Sequence, residues 1–102
     1  MTFGYVLDVP APIEAYDALH AEILRRSNGR GDGLLLHVGR ATPGGFQVLE
    51  VWESRELFDR FNAEVIGPAT AELTGGQPPA QQPAMDVFEP RGLLVPAARV
   101  LV

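Results

Sequence analysis

Two apolar segments, Leu34 to Ala41 and Phe46 to Glu53, flank Thr42-Pro43-Gly44-Gly45, and nothing else in the chain restricts its fold as strongly. Proline holds φ near the turn value and glycine admits positive φ, so the four residues read as a tight turn and the segments as an antiparallel pair. A sheet with one face in water alternates apolar with polar residues. These strands do not. Leu34, Leu35, Leu36 and Val38 put apolar groups on both faces, and so do Phe46 and Val48 on one side with Leu49 and Val51 on the other. Both faces of the hairpin therefore need a cover.

The rest of the chain supplies one cover. Phe3 to Val9 is a β-rich strand, ended by Pro10, with Pro12 suited to the first turn of a helix. Ile13, Tyr16, Leu19, His20, Ile23 and Leu24 recur at helical spacing through Arg26, and Ser27-Asn28-Gly29 stops the helix. Ser54 is placed to cap a second helix with the apolar stripe Leu57, Phe58, Phe61, Val65 and Ala69, which Gly67-Pro68 should break or kink. Thr74 to Pro83 is a flexible proline-rich connection, Ala84 to Glu89 a fourth strand, and Leu93 to Val102 an apolar tail that predicts one more strand. The order is that of an α+β, ferredoxin-like βαββαβ domain spanning residues 1–102. Right-handed crossovers put both helices on one face of its antiparallel sheet. The other face is left open, which predicts a homodimer whose two sheets close into an α+β barrel.

Composition removes several kinds of chemistry. The formal net charge is −5 and the eight arginines are scattered among thirteen carboxylates, so a phosphate-binding face, and with it nucleic acid, is not expected. No lysine is present, which excludes Schiff-base mechanisms, and no cysteine, which excludes disulfides, thiolates and cysteine-bound metals. The only serines, Ser27 and Ser54, sit at helix ends. No apolar run approaches the length of a membrane helix and the N-terminus lacks a signal-peptide pattern, so a cytoplasmic protein without a membrane partner is expected.

The hairpin also sets a register. With Ala41 opposite Phe46, His37 falls across from Glu50, and Leu35 and Trp52 form the next pair on that side. An imidazole beside a carboxylate on an aromatic-lined sheet is a proton-handling unit, His37 as base and Glu50 as its orienting partner. The plainer alternative is a buried polar pair that fixes register or a dimer contact. A one-residue bulge in the turn would move His37 to the other face. His20 lies on the first helix's apolar stripe and reads first as a core-edge histidine; as a functional group it would point toward the sheet. His20, His37 and Glu50 contain the elements of a facial metal triad, but their spacing does not demand one, and no metal or other cofactor is expected. Tyr5 and Trp52 line a pocket or serve as plain core. Asn62, next to Phe61, contacts a ligand or faces solvent, and Asp32 between glycines is a turn residue.

The segment Phe46 to Ala69 (FQVLEVWESRELFDRFNAEVIGPA) resembles the dimeric α+β barrel superfamily, in particular its antibiotic biosynthesis monooxygenase-like group. Glu50 and Trp52 match an E-x-W on strand three, and Ser54 starts the following helix. Many relatives carry a histidine on that helix near the position of Phe61. This chain has none after His37, so that residue's chemistry does not transfer. The resemblance implies a pocket between sheet and helices for a hydrophobic or aromatic small molecule, walled by Tyr5, Trp52, Phe61, Asn62 and His20. It also implies cofactor-independent oxygenase or cyclase chemistry of secondary metabolism, with a cavity expected beside His37. Two other readings remain: a non-catalytic small-molecule-binding or regulatory ferredoxin-like domain, and a haem-binding variant with His20 or His37 as axial ligand. An RNA-recognition domain has the same topology, but Glu50 and the missing basic stripe count against it.

Overall fold

The computed structural model describes residues 2–77, 82–98, 100 and 101. Its elements run β1 (Phe3–Val9), α1 (Ile13–Ser27), β2 (Leu34–Thr42), β3 (Gly45–Trp52), α2 (Arg55–Phe61), a π-helical turn (Asn62–Ile66), α3 (Gly67–Thr74), β4 (Ala84–Phe88), β5 (Leu94–Val95) and β6 (Val100–Leu101). The first four strands form one antiparallel sheet in the order β2-β3-β1-β4, the ferredoxin-like arrangement.

Local chemistry explains the boundaries. Pro12 has extended backbone and stands just before α1 rather than inside its first turn. Asn28 ends α1 in the left-handed conformation with its N–H on the Leu24 carbonyl, while Ser27 Oγ donates to the Ile23 carbonyl. Ser54 caps α2 by accepting from the Leu57 N–H at 3.2 Å. In the hairpin, Thr42 pairs with Gly45, and the positive φ falls on Gly45, at 155°. A side chain on Gly45 would collide with the Val9 carbonyl, so the glycine lets the turn close against the end of β1.

Gly67-Pro68 interrupts the second helix as expected: α2 gives way to the π turn, where the Gly67 N–H reaches back to the Asn62 carbonyl, and a second segment, α3, starts at Gly67 and runs to Thr74. Pro68 has no N–H to give to the preceding turn, and one wider turn accommodates that loss. Two expectations change. Leu35 does not pair with Trp52. The register slips between Leu34 and Leu36, so Leu34 faces Trp52 and Leu36 faces Val51, with Leu35 the extra residue of a bulge. The apolar tail forms two short strands, β5 and β6, paired with each other rather than one strand added to the sheet. Its residues Arg99 and Val102, and residues 78–81 of the proline-rich connection, lie outside the described residues.

The core sits between sheet and helices. Phe3, Tyr5, Phe46, Val48 and Trp52 share the covered face and pack with Phe58 of α2. Phe58 touches three of those rings, at 5.3 Å from Phe3, 5.0 Å from Tyr5 and 5.8 Å from Trp52. On the opposite face Gly4, Val6, Leu36, Val38, Leu49, Val51 and Phe88 form the apolar part, and the Phe88 ring lies over Gly4. Asp8, Gln47 and Arg40 cross the same face as a polar row, Arg40 Nε donating to Gln47 and Gln47 Nε2 to Asp8. Among the described residues no helix is long and apolar enough to cross a membrane.

Candidate functional site

His37 and Glu50 are direct cross-strand partners, as the hairpin register predicts, and they lie on the face covered by the helices. The bulge at Leu35 falls on the far side of His37 from the turn, so the register between Thr42 and His37 is uninterrupted. Among the described residues Glu50 is the one charged residue in the buried core, 5% exposed. Its carboxylate is held on three sides. Tyr5, its partner on β1, donates its hydroxyl to Oε1 at 2.6 Å, and Trp52 donates Nε1–H to the same oxygen at 2.8 Å. His37 Nδ1 lies 2.5 Å from Oε2. Among the described residues no buried side-chain nitrogen or oxygen lacks a hydrogen-bond partner.

An ionised carboxylate only accepts, so in the neutral imidazole Nδ1–H donates to Oε2 and Nε2 is left as the acceptor. Nε2 meets Tyr16 of α1, whose Oη lies 2.7 Å away. The three groups form one chain, phenol to imidazole to carboxylate. His20, one helical turn beyond Tyr16, brings Nδ1 to 3.5 Å from the same Oη. The Tyr16, His20 and His37 rings stand nearly parallel, with centroids 5.4 to 6.0 Å apart. Because β2 is an edge strand, this end of the chain is reached from outside: the His37 side chain is 25% exposed.

Burial, then the Glu50 charge and hydrogen bond, push the Tyr5 phenol far above its ordinary pKa, so Tyr5 is a fixed donor. The Tyr16 phenol is also raised, by burial first and then by the charges of Glu50 and Asp17.

Tyr16 is the residue that sequence reading passed over as a member of an apolar stripe. Two signals pointed to it: its four-residue spacing from His20, and Gly39, two positions after His37 on the same face, where a strand glycine leaves room for a ring. Tyr5 and Trp52, expected as pocket walls, bring their polar atoms to Glu50 instead. Phe61 packs against Trp52 with the rings tilted and their centroids 5.3 Å apart. Asn62 is not brought to the group; it is exposed at the start of the π turn.

Neither of two open clefts among the described residues is lined by His37 or Glu50. One, of about 420 Å³, lies between the Pro10–Ile13 connection and the hairpin turn. The other, of about 260 Å³, is lined by Leu57, Phe61 and Val65 together with Arg30, Arg60 and Glu64. The cavity expected beside His37 is thus neither of these. Among the described residues no group of three histidine or carboxylate side chains is arranged to hold a metal ion.

No protein-family model matches the chain. No curated protein matches it either. Solved structures do. A candidate antibiotic biosynthesis monooxygenase from Chloroflexus aurantiacus J-10-fl is 22% identical with a TM-score of 0.66, over 93% of this chain and 98% of that one. SnoaB, a cofactor-independent oxygenase from Streptomyces nogalater, is 17% identical with a TM-score of 0.59, over 93% and 95%. Rv0793 from Mycobacterium tuberculosis is 17% identical with a TM-score of 0.63, over 88% and 95%. At these identities the likeness is one of fold.

Proposed function

The chain has the fold of the antibiotic biosynthesis monooxygenase-like proteins, and from that premise we propose that it is a cytoplasmic homodimeric α+β barrel enzyme of the cofactor-independent monooxygenase or cyclase type, acting on a hydrophobic or aromatic small molecule. One observation carries the reading: the hydrogen-bonded chain from Tyr16 through His37 to Glu50, buried at the carboxylate and open at the phenol. Glu50 orients the imidazole and stabilises the imidazolium that forms when His37 accepts a proton, which is general-base catalysis with a built-in partner. Removing a proton from a phenol or an activated CH₂ leaves an electron-rich anion. Such an anion reduces dioxygen without a metal or flavin, CH₂ and O₂ giving C=O and water, and the same proton removal starts a cyclisation.

The dimer rests on the open sheet face, where Val38 is 45% exposed and Phe88 36%. A second copy related by a two-fold axis covers that face with its own.

A second reading has its own support. Both oxygens of Glu50 are occupied by protein donors, and neither cleft reaches the pair. The chain of groups then latches α1 onto the sheet, and the protein binds a small molecule without turning it over.

Oxygen uptake with anthrone, an aromatic ketone with an activated CH₂, separates the two. The enzyme reading expects one O₂ consumed per anthraquinone formed, by protein stripped of metal with a chelator, and a loss of about 10²–10⁴-fold in His37→Gln. Wild type no faster than His37→Gln, with both folded by circular dichroism, leaves the binding reading.

A further inference from the structure

The expected base, His37, has no free ring nitrogen. Nδ1 is on Glu50 and Nε2 is on Tyr16 Oη at 2.7 Å, so a substrate proton cannot reach the imidazole without displacing the phenol. Tyr16 is built into its place rather than resting there. Its ring lies on Gly39, where a Cβ would come within 2.5 Å of Oη. Phe46 meets the ring edge-on from β3, with centroids 5.5 Å apart. His20 flanks it from its own helix.

Resting on the reading above, we propose that Tyr16 is the catalytic residue that exchanges the proton with the substrate, and that His37 and Glu50 act through it. In the step, Tyr16 Oη takes the proton from the substrate's O–H or C–H as its own proton passes to His37 Nε2. The substrate is left as an anion, Tyr16 is again a neutral phenol, and the imidazolium is paired with Glu50. The proton returns to product by the reverse path, so neither electrons nor protons are gained or lost by the protein. Such a relay suits a half-exposed edge: Tyr16 and His37 are both half-buried, while Glu50 behind them is buried.

Two measurements on the full chain test this. In ¹⁵N spectra of the imidazoles, the His37 Nε2 resonance of wild type should carry the shift of a nitrogen accepting a hydrogen bond, and Tyr16→Phe should move it toward a free lone pair. An unmoved Nε2 in Tyr16→Phe overturns the relay whether or not turnover is found. In the anthrone assay, Tyr16→Phe keeps the ring that packs on Gly39 and should lower kcat at least 100-fold, with KM within about threefold and no further loss in Tyr16→Phe with His37→Gln. Wild-type kcat in Tyr16→Phe, with His37→Gln inactive, means that His37 meets the substrate itself and overturns the relay alone. An inert wild type fails the function, and this step with it.

Discussion

Tyr16 occupies the space that a side chain on Gly39 would fill. A Cβ at position 39 would lie 2.5 Å from both Cε1 and Oη of the Tyr16 ring, and the two residues belong to different elements, α1 and β2. Glycine in a strand interior weakens it, so a close approach of this kind is a physical reason for having one there. Gly39→Ala should therefore act at a distance of two residues. The added methyl pushes the Tyr16 ring off β2, lengthens the Tyr16–His37 hydrogen bond, and destabilises the fold by about 1–3 kcal/mol, the usual cost of overpacking. Urea denaturation gives the stability and the His37 ring-nitrogen shifts give the bond. Unchanged shifts would mean that the ring is not seated by Gly39.

Glu50→Gln tests how the carboxylate sets the imidazole. Tyr5 and Trp52 both need an acceptor, so the carboxamide oxygen must stay where Oε1 is, and the amide nitrogen then faces His37 Nδ1. An NH₂ only donates, so Nδ1 must lose its proton to Nε2, and the Tyr16 hydrogen bond reverses direction. The expected result is the opposite His37 tautomer by ¹⁵N spectroscopy, with a stability loss of about 1–3 kcal/mol. Glu50→Ala leaves two buried donors without an acceptor and should cost more, about 3–5 kcal/mol. A tautomer that survives Glu50→Gln would remove Glu50 as the orienting partner.

The pair His37–Glu50 was legible because a tight turn fixes register by counting, and counting needs no tertiary information. The same counting failed at Leu35, since a bulge depends on how β2 bends over the helices and not on local pattern. The helix faces were legible from period, which is why Phe58 and Phe61 meet the aromatics of β1 and β3 as expected. Tyr16 was not singled out because an aromatic on an apolar stripe reads as core; its function depends on which strand the helix crosses, and only Gly39 hinted at that. The roles of Tyr5 and Trp52 were hidden for a related reason. Sequence shows that an aromatic faces inward, but not that its one polar atom ends on a carboxylate.

The open sheet face yields a prediction of assembly. Val38 stands in β2 among Leu36, Leu49 and Val6, bordering the polar row of Arg40, Gln47 and Asp8. Val38→Asp puts a charge on the β2 edge of the apolar part without touching the helix side. If that face joins two copies, wild type is a dimer at low micromolar concentration and Val38→Asp a monomer, because an unpaired charge in a buried interface costs several kcal/mol. Sedimentation velocity reads both. A monomeric wild type, or a dimeric Val38→Asp, would assign the face to something else.

Alkaline pH isolates the two phenols. The chain has no lysine and no cysteine, and its only tyrosines are Tyr5 and Tyr16, so between about pH 9 and 11.5 these are the side chains that titrate. In the unfolded chain a tyrosine ionises near 10.0. In the folded protein burial and Glu50 hold Tyr5 well above that, and Tyr16 moves the same way. A raised folded pKa means that the stabilisation is present in full below pH 10 and declines as pH rises, because the unfolded chain then releases a proton that the folded one keeps. The slope is about 1.4 kcal/mol per pH unit for each phenol that stays protonated. Urea denaturation at pH 8, 10 and 11 should show wild type losing stability across this range. Tyr5→Phe, which gives up one hydrogen bond to Glu50, should start about 1 kcal/mol lower at pH 8 and fall less steeply. An equal slope in the two proteins would mean that Tyr5 ionises in the folded state as readily as in the unfolded chain, and that it does not hold Glu50 as a fixed donor.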